Sequence, residues 1–330
     1  MDVLMTSGIH AIVVLQSVGW LEAAMRFFTF VGSPDFAFVI LPAIYWCIDS
    51  RLGVRIALIV FASSMLNEVA KLALQGPRPY WVSLQVKALA SEPGFGVPSG
   101  HAQIAVGVWG MVAATLRRGS AWAAAIVLIL LIGVSRVYLG VHYPHDVVVG
   151  WIIGVLLLWL FLAVWIPVSR WIGSKALSRQ AVLSIAICLA FLTVDAMMVR
   201  GLSHYVSPAD WLTNAARAGG MPPPGVSMDP MLTYAGAFLG FVLGLAWIAK
   251  GVGFAPSGSF RQRALCFIIG LAGVLVLYAG LKAAFPSGER LVGLSLRFVR
   301  YAALGLWISA GAPAVFQRLQ LMPAPSETTA

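Results

Sequence analysis

The chain has 330 residues, which in a soluble protein would indicate two domains, but its composition excludes a water-soluble fold. Sixty percent of the residues are hydrophobic and only 10% are charged, against about 25% charged residues in soluble domains. The net charge of +10 could indicate a nucleic-acid partner, but in so apolar a chain it indicates basic loops on the cytoplasmic side of a membrane. We therefore predict an all-α, polytopic transmembrane helical bundle that binds no nucleic acid.

The N-terminal segment, residues 1–34, holds an apolar stretch that polar residues interrupt. Gln16, Glu22 and Arg26 fall within Ile9–Phe30. This pattern favours an amphipathic helix lying in the membrane interface over an additional, tenth span.

About nine apolar runs follow, and most of them approach the roughly 20 residues that cross the hydrocarbon core as a helix. The predicted spans are Asp35–Ile48, Val54–Leu74, Ser99–Leu116, Ala121–Leu139, Asp146–Ile166, Ala181–Val199, Met231–Ile248, Ala264–Phe285 and Leu291–Phe316.

Loop charges predict the orientation of these spans. The loops after the first, third, fifth and seventh spans are short and rich in Arg and Lys, so we expect them on the cytoplasmic side. The other loops are richer in Pro and His, and with the adjoining span ends they carry Glu92, Asp146, Asp210, Asp229 and Glu289. With nine spans, the N-terminus would lie outside and the C-terminus in the cytoplasm.

Polar residues suited to chemistry cluster at the outer ends of spans two to five. They combine three cations, two histidines, a carboxylate and the start of a helix, within fewer than eighty residues. In chain order they are Lys71, Arg78-Pro79, Pro98-Ser99-Gly100-His101, Ser135-Arg136, His142 and Asp146.

This combination predicts an anion site built for phosphoryl transfer. A helix that begins at Ser99 and Gly100 would offer free N–H groups and its positive dipole end to phosphate oxygens. Arginine and lysine side chains would neutralise the charge that must be held in the transition state. One histidine could attack phosphorus while the other protonates the leaving oxygen, and Asp146 could orient an imidazole. No carboxylate cluster suited to a divalent metal accompanies these groups, so we expect neither a metal nor another cofactor.

These residues form three motifs: Lys71 with Arg78-Pro79, then Pro98-Ser99-Gly100-His101, then Ser135-Arg136 with His142 and Asp146. The motifs resemble the three-part signature of the type 2 phosphatidic acid phosphatase superfamily, and they match it at every defining position. The resemblance implies that His142 is the nucleophile, that Asp146 orients it and that His101 is the general acid. It further implies that the substrate phosphate is bound by Lys71, Arg78, Ser99, Gly100 and Arg136. The nine-span layout is similar to that of glucose-6-phosphatase, a branch of the same superfamily.

The resemblance divides the chain into three segments. Residues 35–167 would form the phosphatase core of five spans, after the N-terminal segment of residues 1–34. Residues 168–330 would form a four-span extension with an outer loop at 200–230 and a short polar tail. The outer loop could be a lid over the site or merely a tether. Within the extension, we expect Asp195 to pair with Arg297 or Arg300, because ionisable residues inside a membrane are usually paired.

We therefore expect an integral-membrane, metal-independent phosphatase that forms a phosphohistidine intermediate on the non-cytoplasmic face of a bacterial inner or plasma membrane. Its substrate would be a membrane lipid phosphate: phosphatidate, phosphatidylglycerophosphate or a polyprenyl diphosphate. The alternatives are a soluble phosphate ester as substrate, or a lipid-phosphate binder or transporter without turnover. The sequence indicates neither protein partners nor an oligomeric state.

Overall fold

A computed structural model describes residues 3–223, 225–251, 253–285, 288 and 291–322 of the chain. Three features considered above lie outside these residues: the acidic Glu289 of an outer loop, Pro224 of the loop at 200–230, and the tail 323–330.

The described residues form helices and connecting loops, without a β-strand, which confirms the predicted all-α class. The helices of the first half are α1 (Val3–Gln16), α2 (Glu22–Val31), α3 (Pro34–Ala43), α4 (Ser50–Leu74), α5 (Pro79–Val82), α6 (Gly100–Leu116) and α7 (Gly119–Tyr138). Those of the second half are α8 (Pro144–Gly173), α9 (Leu177–Gly201), α10 (Ala209–Ala218), α11 (Asp229–Lys250), α12 (Phe260–Ala284), α13 (Leu291–Leu306) and α14 (Ala312–Arg318).

Each of the nine predicted spans coincides with a helical segment. Within the described residues, seven segments are long and apolar enough to cross a membrane. The two remaining predicted spans coincide with shorter apolar helices, Phe36–Ile48 and Gly100–Leu116. The second of these begins at Gly100, within the Pro98–His101 motif.

The N-terminal segment consists of two helices instead of one. Helices α1 and α2 are bent by 84° relative to each other at the break between them. The side chain of Gln16, at the end of α1, donates hydrogen bonds to the carbonyl oxygens of Lys87 (2.8 Å) and Tyr138 (2.9 Å). The segment is therefore attached to the loops around the candidate site, and its interfacial position in the membrane stays a prediction.

The chain divides into two compact units, each built from separate stretches of sequence. The first comprises Met1–Ala37, Ala62–Phe161 and Met197–Val226, and the second comprises Phe38–Phe61, Leu162–Ala196 and Ser227–Ala330. The predicted boundaries at residues 34 and 167 follow family motifs and hydropathy rather than packing, and they stay predictions.

In the first unit, two glycines of α8 allow that helix to approach α6 closely. A Cβ atom on Gly150 would lie 2.6 Å from the Ser99 carbonyl oxygen, and one on Gly154 would lie 2.8 Å from that of Gln103. Small residues let membrane helices pack backbone to backbone in this way. The contact brings the start of α8 beside the start of α6.

In the second unit, glycines of α11 lie against the backbone of α13. A Cβ atom on Gly240 would lie 1.8 Å from the Ala302 carbonyl oxygen, and one on Gly236 would lie 2.5 Å from that of Phe298. The buried Tyr45 hydroxyl donates a hydrogen bond of 2.8 Å to the Ser309 carbonyl oxygen, which satisfies a backbone group in an apolar surrounding.

The arginines of α13 have the following partners. Arg297 forms an ion pair with Asp229, with 2.7 Å between Nη2 and Oδ2. The buried Arg300 guanidinium lies over the Tyr301 ring at 5.2 Å and over the Tyr278 ring at 5.8 Å. The sequence did not indicate the pair between Arg297 and Asp229, while the pairing predicted for the buried Asp195 stays a prediction.

Candidate active site

Four helix ends meet in the first unit and carry the predicted site residues. Lys71 lies in the last turn of α4, α6 begins at Gly100, Arg136 lies in the last turn of α7, and Asp146 lies in the first turn of α8. Basic residues at C-terminal ends and a carboxylate in a first turn both complement the helix dipole. The local sequence therefore supports the positions that the site requires.

The start of α6 is held by one backbone hydrogen bond to α8 and by the first bond of its own helix. The Ser99 N–H donates to the Asp146 carbonyl oxygen at 3.0 Å, and the Gln103 N–H donates to the Ser99 carbonyl oxygen at 3.1 Å. The Ser99 hydroxyl is buried and has no hydrogen-bond partner within the described residues. A ligand oxygen would provide such a partner, because a buried polar group without one is costly.

A pair of buried amides supports this turn from below. Asn67 Nδ2 donates to Gln103 Oε1 at 2.8 Å and to the Pro98 carbonyl oxygen at 3.3 Å. Gln103 Nε2 in turn donates to the Ser63 carbonyl oxygen at 3.0 Å. These bonds connect α4 to α6 directly beneath Gly100, whose Cβ position lies 3.1 Å from Asn67 Oδ1.

His142 and Asp146 are buried together. His142 Nδ1 lies 3.4 Å from Asp146 Oδ2, and the same oxygen accepts a 2.9 Å hydrogen bond from the Tyr143 N–H. His145 Nε2 lies 3.2 Å from the other oxygen, Oδ1, and its ring stacks on Tyr143 with 5.1 Å between centroids. Asp146 thus contacts two imidazoles, whereas the sequence predicted one.

The electrostatic surroundings keep His142 neutral. Burial and the nearby guanidinium groups of Arg78 and Arg136 lower the pKa of His142 well below its usual value. A neutral imidazole has a free nitrogen lone pair, which is the form that acts as a nucleophile or base.

Arg78 is buried, and all three of its guanidinium nitrogens donate to backbone carbonyl groups. Nε donates to Gly94 (3.0 Å), Nη1 to Val141 (2.9 Å), and Nη2 to Pro93 (2.9 Å) and Phe95 (3.3 Å). These carbonyl groups belong to the two loops that precede His101 and His142. In this structure Arg78 therefore connects the loops of the site, and its predicted phosphate contact stays a prediction.

Lys71 and Arg136 complete the cationic set. The Lys71 ammonium lies under the turn at Gly94, since a Cβ on that glycine would be 3.7 Å from Nζ. Arg136 donates from Nη1 to the hydroxyl of Thr29 and from Nη2 to Glu92 Oε1 at 2.5 Å. Its Nε is buried without a hydrogen-bond partner among the described residues.

The sequence did not assign Glu92 and Thr29 to the site. Glu92 lies 44 positions before Arg136, and Thr29 lies 107 positions before it. No periodicity connects residues so far apart, although Glu92 stands only nine residues before His101 in an outer loop. That short distance along the chain was the one available signal.

The predicted outer loop contains helix α10, which packs on α5 directly after Arg78. The Trp211 and Trp81 rings stack at 5.8 Å, and Asn214 Nδ2 donates to the Trp81 carbonyl oxygen at 3.0 Å. The Trp81 indole N–H donates to the Met221 carbonyl oxygen at 2.9 Å. This loop is therefore folded against the site's own helix, while its role as a lid stays a prediction.

Groups of at least three His, Cys, Asp or Glu side chains arranged to hold a metal ion do not occur among the described residues. The carboxylates at the site instead contact histidine and arginine side chains.

Comparison with known proteins agrees with this arrangement. Residues 52–171 match the model of the PAP2 superfamily, and residues 232–325 match that of the PAP2 superfamily phosphatase transmembrane extension. Bovine glucose-6-phosphatase 3 (Bos taurus) is 32% identical over 209 residues, which cover 56% of this chain and 60% of that protein. The match thus spans less than two thirds of that relative's length.

Two further relatives act on lipids by name. Phosphatidylglycerophosphatase B of Bacillus subtilis (strain 168) is 29% identical over 154 residues, covering 43% of this chain and 73% of that protein. Lipid phosphate phosphatase delta of Arabidopsis thaliana is 30% identical over 193 residues, covering 54% and 45%. The crystal structure of the Bacillus subtilis transmembrane PAP2-type phosphatidylglycerolphosphate phosphatase superimposes with a TM-score of 0.42 at 27% identity, covering 49% of this chain and 86% of that one.

The two family-model matches confirm the superfamily that the motifs predicted. The apolar helices and the matched transmembrane extension make the chain a multi-pass membrane protein. It is a member of the PAP2 superfamily, with a PAP2 domain followed by the PAP2 phosphatase transmembrane extension.

Proposed function

We propose that the protein is a metal-independent phosphatase that hydrolyses a membrane lipid phosphate, either a monoester or a diphosphate, through a phosphohistidine intermediate. The observation that carries this proposal is the neutral, buried His142 beside Asp146, in the same site as two polar groups without partners. These groups are Ser99 Oγ and Arg136 Nε, both within the described part of the first unit. A phosphate oxygen is suited to both.

The reaction would proceed in two balanced steps. In the first, His142 Nε2 forms a bond to phosphorus while the bond from phosphorus to the lipid oxygen breaks, and His101 donates a proton to that oxygen. In the second, His101 takes a proton from water, whose oxygen forms a bond to phosphorus while the bond from phosphorus to His142 Nε2 breaks, which releases inorganic phosphate. Asp146 would orient His142 through Nδ1, while Lys71 and Arg136 stabilise the charge on the equatorial oxygens.

A lipid substrate is supported by the names of two relatives and by the position of the site. Helix ends at the boundary of an apolar bundle lie near the depth of lipid headgroups, so a lipid phosphate could enter from the bilayer. The loop charges favour the non-cytoplasmic face of a bacterial inner or plasma membrane, with the N-terminus outside and the C-terminus in the cytoplasm.

A soluble phosphate ester is the second candidate substrate. It is favoured by the glucose-6-phosphatase 3 match, which spans 209 residues against 154 for the Bacillus phosphatase. A binder or transporter without turnover would have no use for both a nucleophile and an acid, so it ranks below these two candidates.

The test is phosphate release by purified protein in detergent with EDTA. The substrates are phosphatidate, phosphatidylglycerophosphate, a polyprenyl diphosphate and glucose 6-phosphate. We expect release from at least one lipid, no release by His142→Ala, and unchanged release by His10→Ala, an exposed histidine of α1. Dependence on added magnesium, or release that survives His142→Ala, would contradict the mechanism.

Two further measurements address the intermediate and the orientation. Brief reaction with a ³²P-labelled substrate should trap label on the protein that is stable to alkali and lost in acid, as phosphohistidine is. In sealed vesicles of known orientation, a membrane-impermeant vanadate should inhibit only from the outer side. Inhibition from the cytoplasmic side alone would reverse the proposed topology.

A further inference from the structure

A carboxylate occupies part of the cationic site. Glu92 Oε1 lies 2.5 Å from Arg136 Nη2 and 3.8 Å from His101 Nε2. Glu92 is thus within reach of one residue proposed to bind phosphate and of the residue proposed to protonate the leaving oxygen.

This carboxylate is an anion at any physiological pH. Burial by itself would raise its pKa, but the charges of Arg136, His101 and Arg78 outweigh burial and lower the pKa of Glu92 to about 2. An arginine–carboxylate hydrogen bond of this length is charge-assisted and among the strong ones. Glu92 therefore satisfies Arg136 in the same manner as a phosphate oxygen would.

Apart from Arg136 Nε, the guanidinium nitrogens of Arg78 and Arg136 are already engaged. Arg136 Nη1 donates to Thr29, and each nitrogen of Arg78 donates to a backbone carbonyl oxygen. A phosphoryl group that binds Arg136 side-on, through the free Nε and the adjacent Nη2, must therefore take over Nη2, which Glu92 holds. Two anions on one nitrogen would repel each other in surroundings that are poor in water.

We propose that Glu92 is a positioning residue that stands in for substrate phosphate: it orients Arg136 before substrate binds and is displaced by the incoming phosphoryl group. This inference rests on the proposed function. Because it concerns the binding of anions, it can be tested without turnover.

The local structure allows such an exchange through a side-chain rotation. Arg78 holds the carbonyl groups of the three residues after Glu92, so the backbone of this loop is fixed. The Glu92 side chain retains 24% of its exposure, which leaves it a route toward solvent. The return of the carboxylate after hydrolysis would also help to expel inorganic phosphate.

The test compares wild type with Glu92→Gln, which keeps the shape of the side chain and removes its charge. The probes are orthovanadate and inorganic phosphate, measured by calorimetric binding and, where the wild type turns over, as inhibition constants. We expect both probes to bind about tenfold more tightly to Glu92→Gln, because the competing anion is gone. We also expect kcat to fall through slower product release while KM decreases.

Glu22→Gln is the matched control. It removes an equal charge from an exposed ion pair with Arg26 on α2, and vanadate affinity should not change. Glu92→Asp keeps the charge on a shorter side chain and should tighten vanadate binding less than Glu92→Gln does. If Glu92→Gln does not fold, Glu92→Asp provides the same measurement, and tighter binding remains the expected sign.

Unchanged or weaker vanadate binding in the folded Glu92 variants would overturn the inference. Tighter binding in a protein that hydrolyses no phosphate ester would support the inference while rejecting the proposed function. If the wild type hydrolyses a phosphate ester but vanadate affinity is unchanged in both Glu92 variants, the proposed function is supported and the inference about Glu92 is rejected.

Discussion

Arg78 provides the sharpest test of the site's construction, because the family resemblance and the structure give it different roles. The resemblance implies a phosphate ligand, whereas the structure directs all its guanidinium nitrogens to backbone carbonyl oxygens of two loops. Arg78→Lys separates these roles, since it keeps the positive charge but removes the planar fork.

The expected loss of stability follows from the number of hydrogen bonds. Arg78 makes four of them, at 2.9 to 3.3 Å. The single ammonium of a lysine could reach at most about two of the four carbonyl oxygens. Losing two charged hydrogen bonds, each worth about 1.5 kcal/mol, would lower the free energy of unfolding by about 3 kcal/mol. In a unit of this size that amounts to roughly 6–12 °C in the thermal midpoint.

The assay is thermal unfolding in detergent, followed by tryptophan fluorescence, together with vanadate binding to the same preparations. Arg26→Lys, in an exposed pair with Glu22, is the control and should move the midpoint by less than about 2 °C. We expect Arg78→Lys to lower the midpoint and the turnover together. A wild-type midpoint combined with weakened vanadate binding would refute the scaffold role and establish Arg78 as a phosphate ligand alone.

Three further predictions concern the loop and helix that carry the nucleophile. Asp146→Asn should lower kcat by about 10²–10⁴-fold with a folded protein, because an amide no longer holds the His142 tautomer; steady-state kinetics with an unchanged kcat would contradict this. The lowered pKa of His142 means that it stays neutral when folded and protonates when unfolded. Its contribution to stability is therefore present above pH 6.5 and lost below it. Between a pH well above 6.5 and pH 5.5, the free energy of unfolding of the wild type should fall by about 1.4 kcal/mol more than that of His142→Gln, as measured by denaturant unfolding of both proteins at the two pH values. Gly140→Ala should destabilise by at least about 2 kcal/mol in denaturant unfolding, since φ is +75° and its Cβ would lie 2.4 Å from the Lys87 carbonyl oxygen; equal stability would reject the strained turn.

Much of the fold could be predicted because each membrane helix reflects a local property. Each apolar run partitions into the bilayer by itself, so the hydropathy of consecutive residues predicted nine helical segments at the positions where the structure has them. The N-terminal segment is the exception. It has an 84° bend between α1 and α2, and beside the bend Gln16 forms hydrogen bonds to Lys87 and Tyr138, which hydropathy does not describe.

The sequence by itself predicted that this protein lies in a membrane, the order of its apolar helices and the motif residues that the structure brings to one site, because motifs and hydropathy are properties of residues close together in the chain. Only the tertiary structure decided which of those side chains contact one another. It directed Arg78 to backbone carbonyl oxygens and brought Glu92 to Arg136 across 44 positions. Such pairs depend on how two loops pack over four helix ends. Contacts between loops leave no periodic pattern in the sequence, so they could not be predicted from it. The scarcity of charged residues, 10% of the chain, first excluded a soluble fold. One of those residues is Glu92, which contacts Arg136 in the cationic site, and a count of charges could not predict that position.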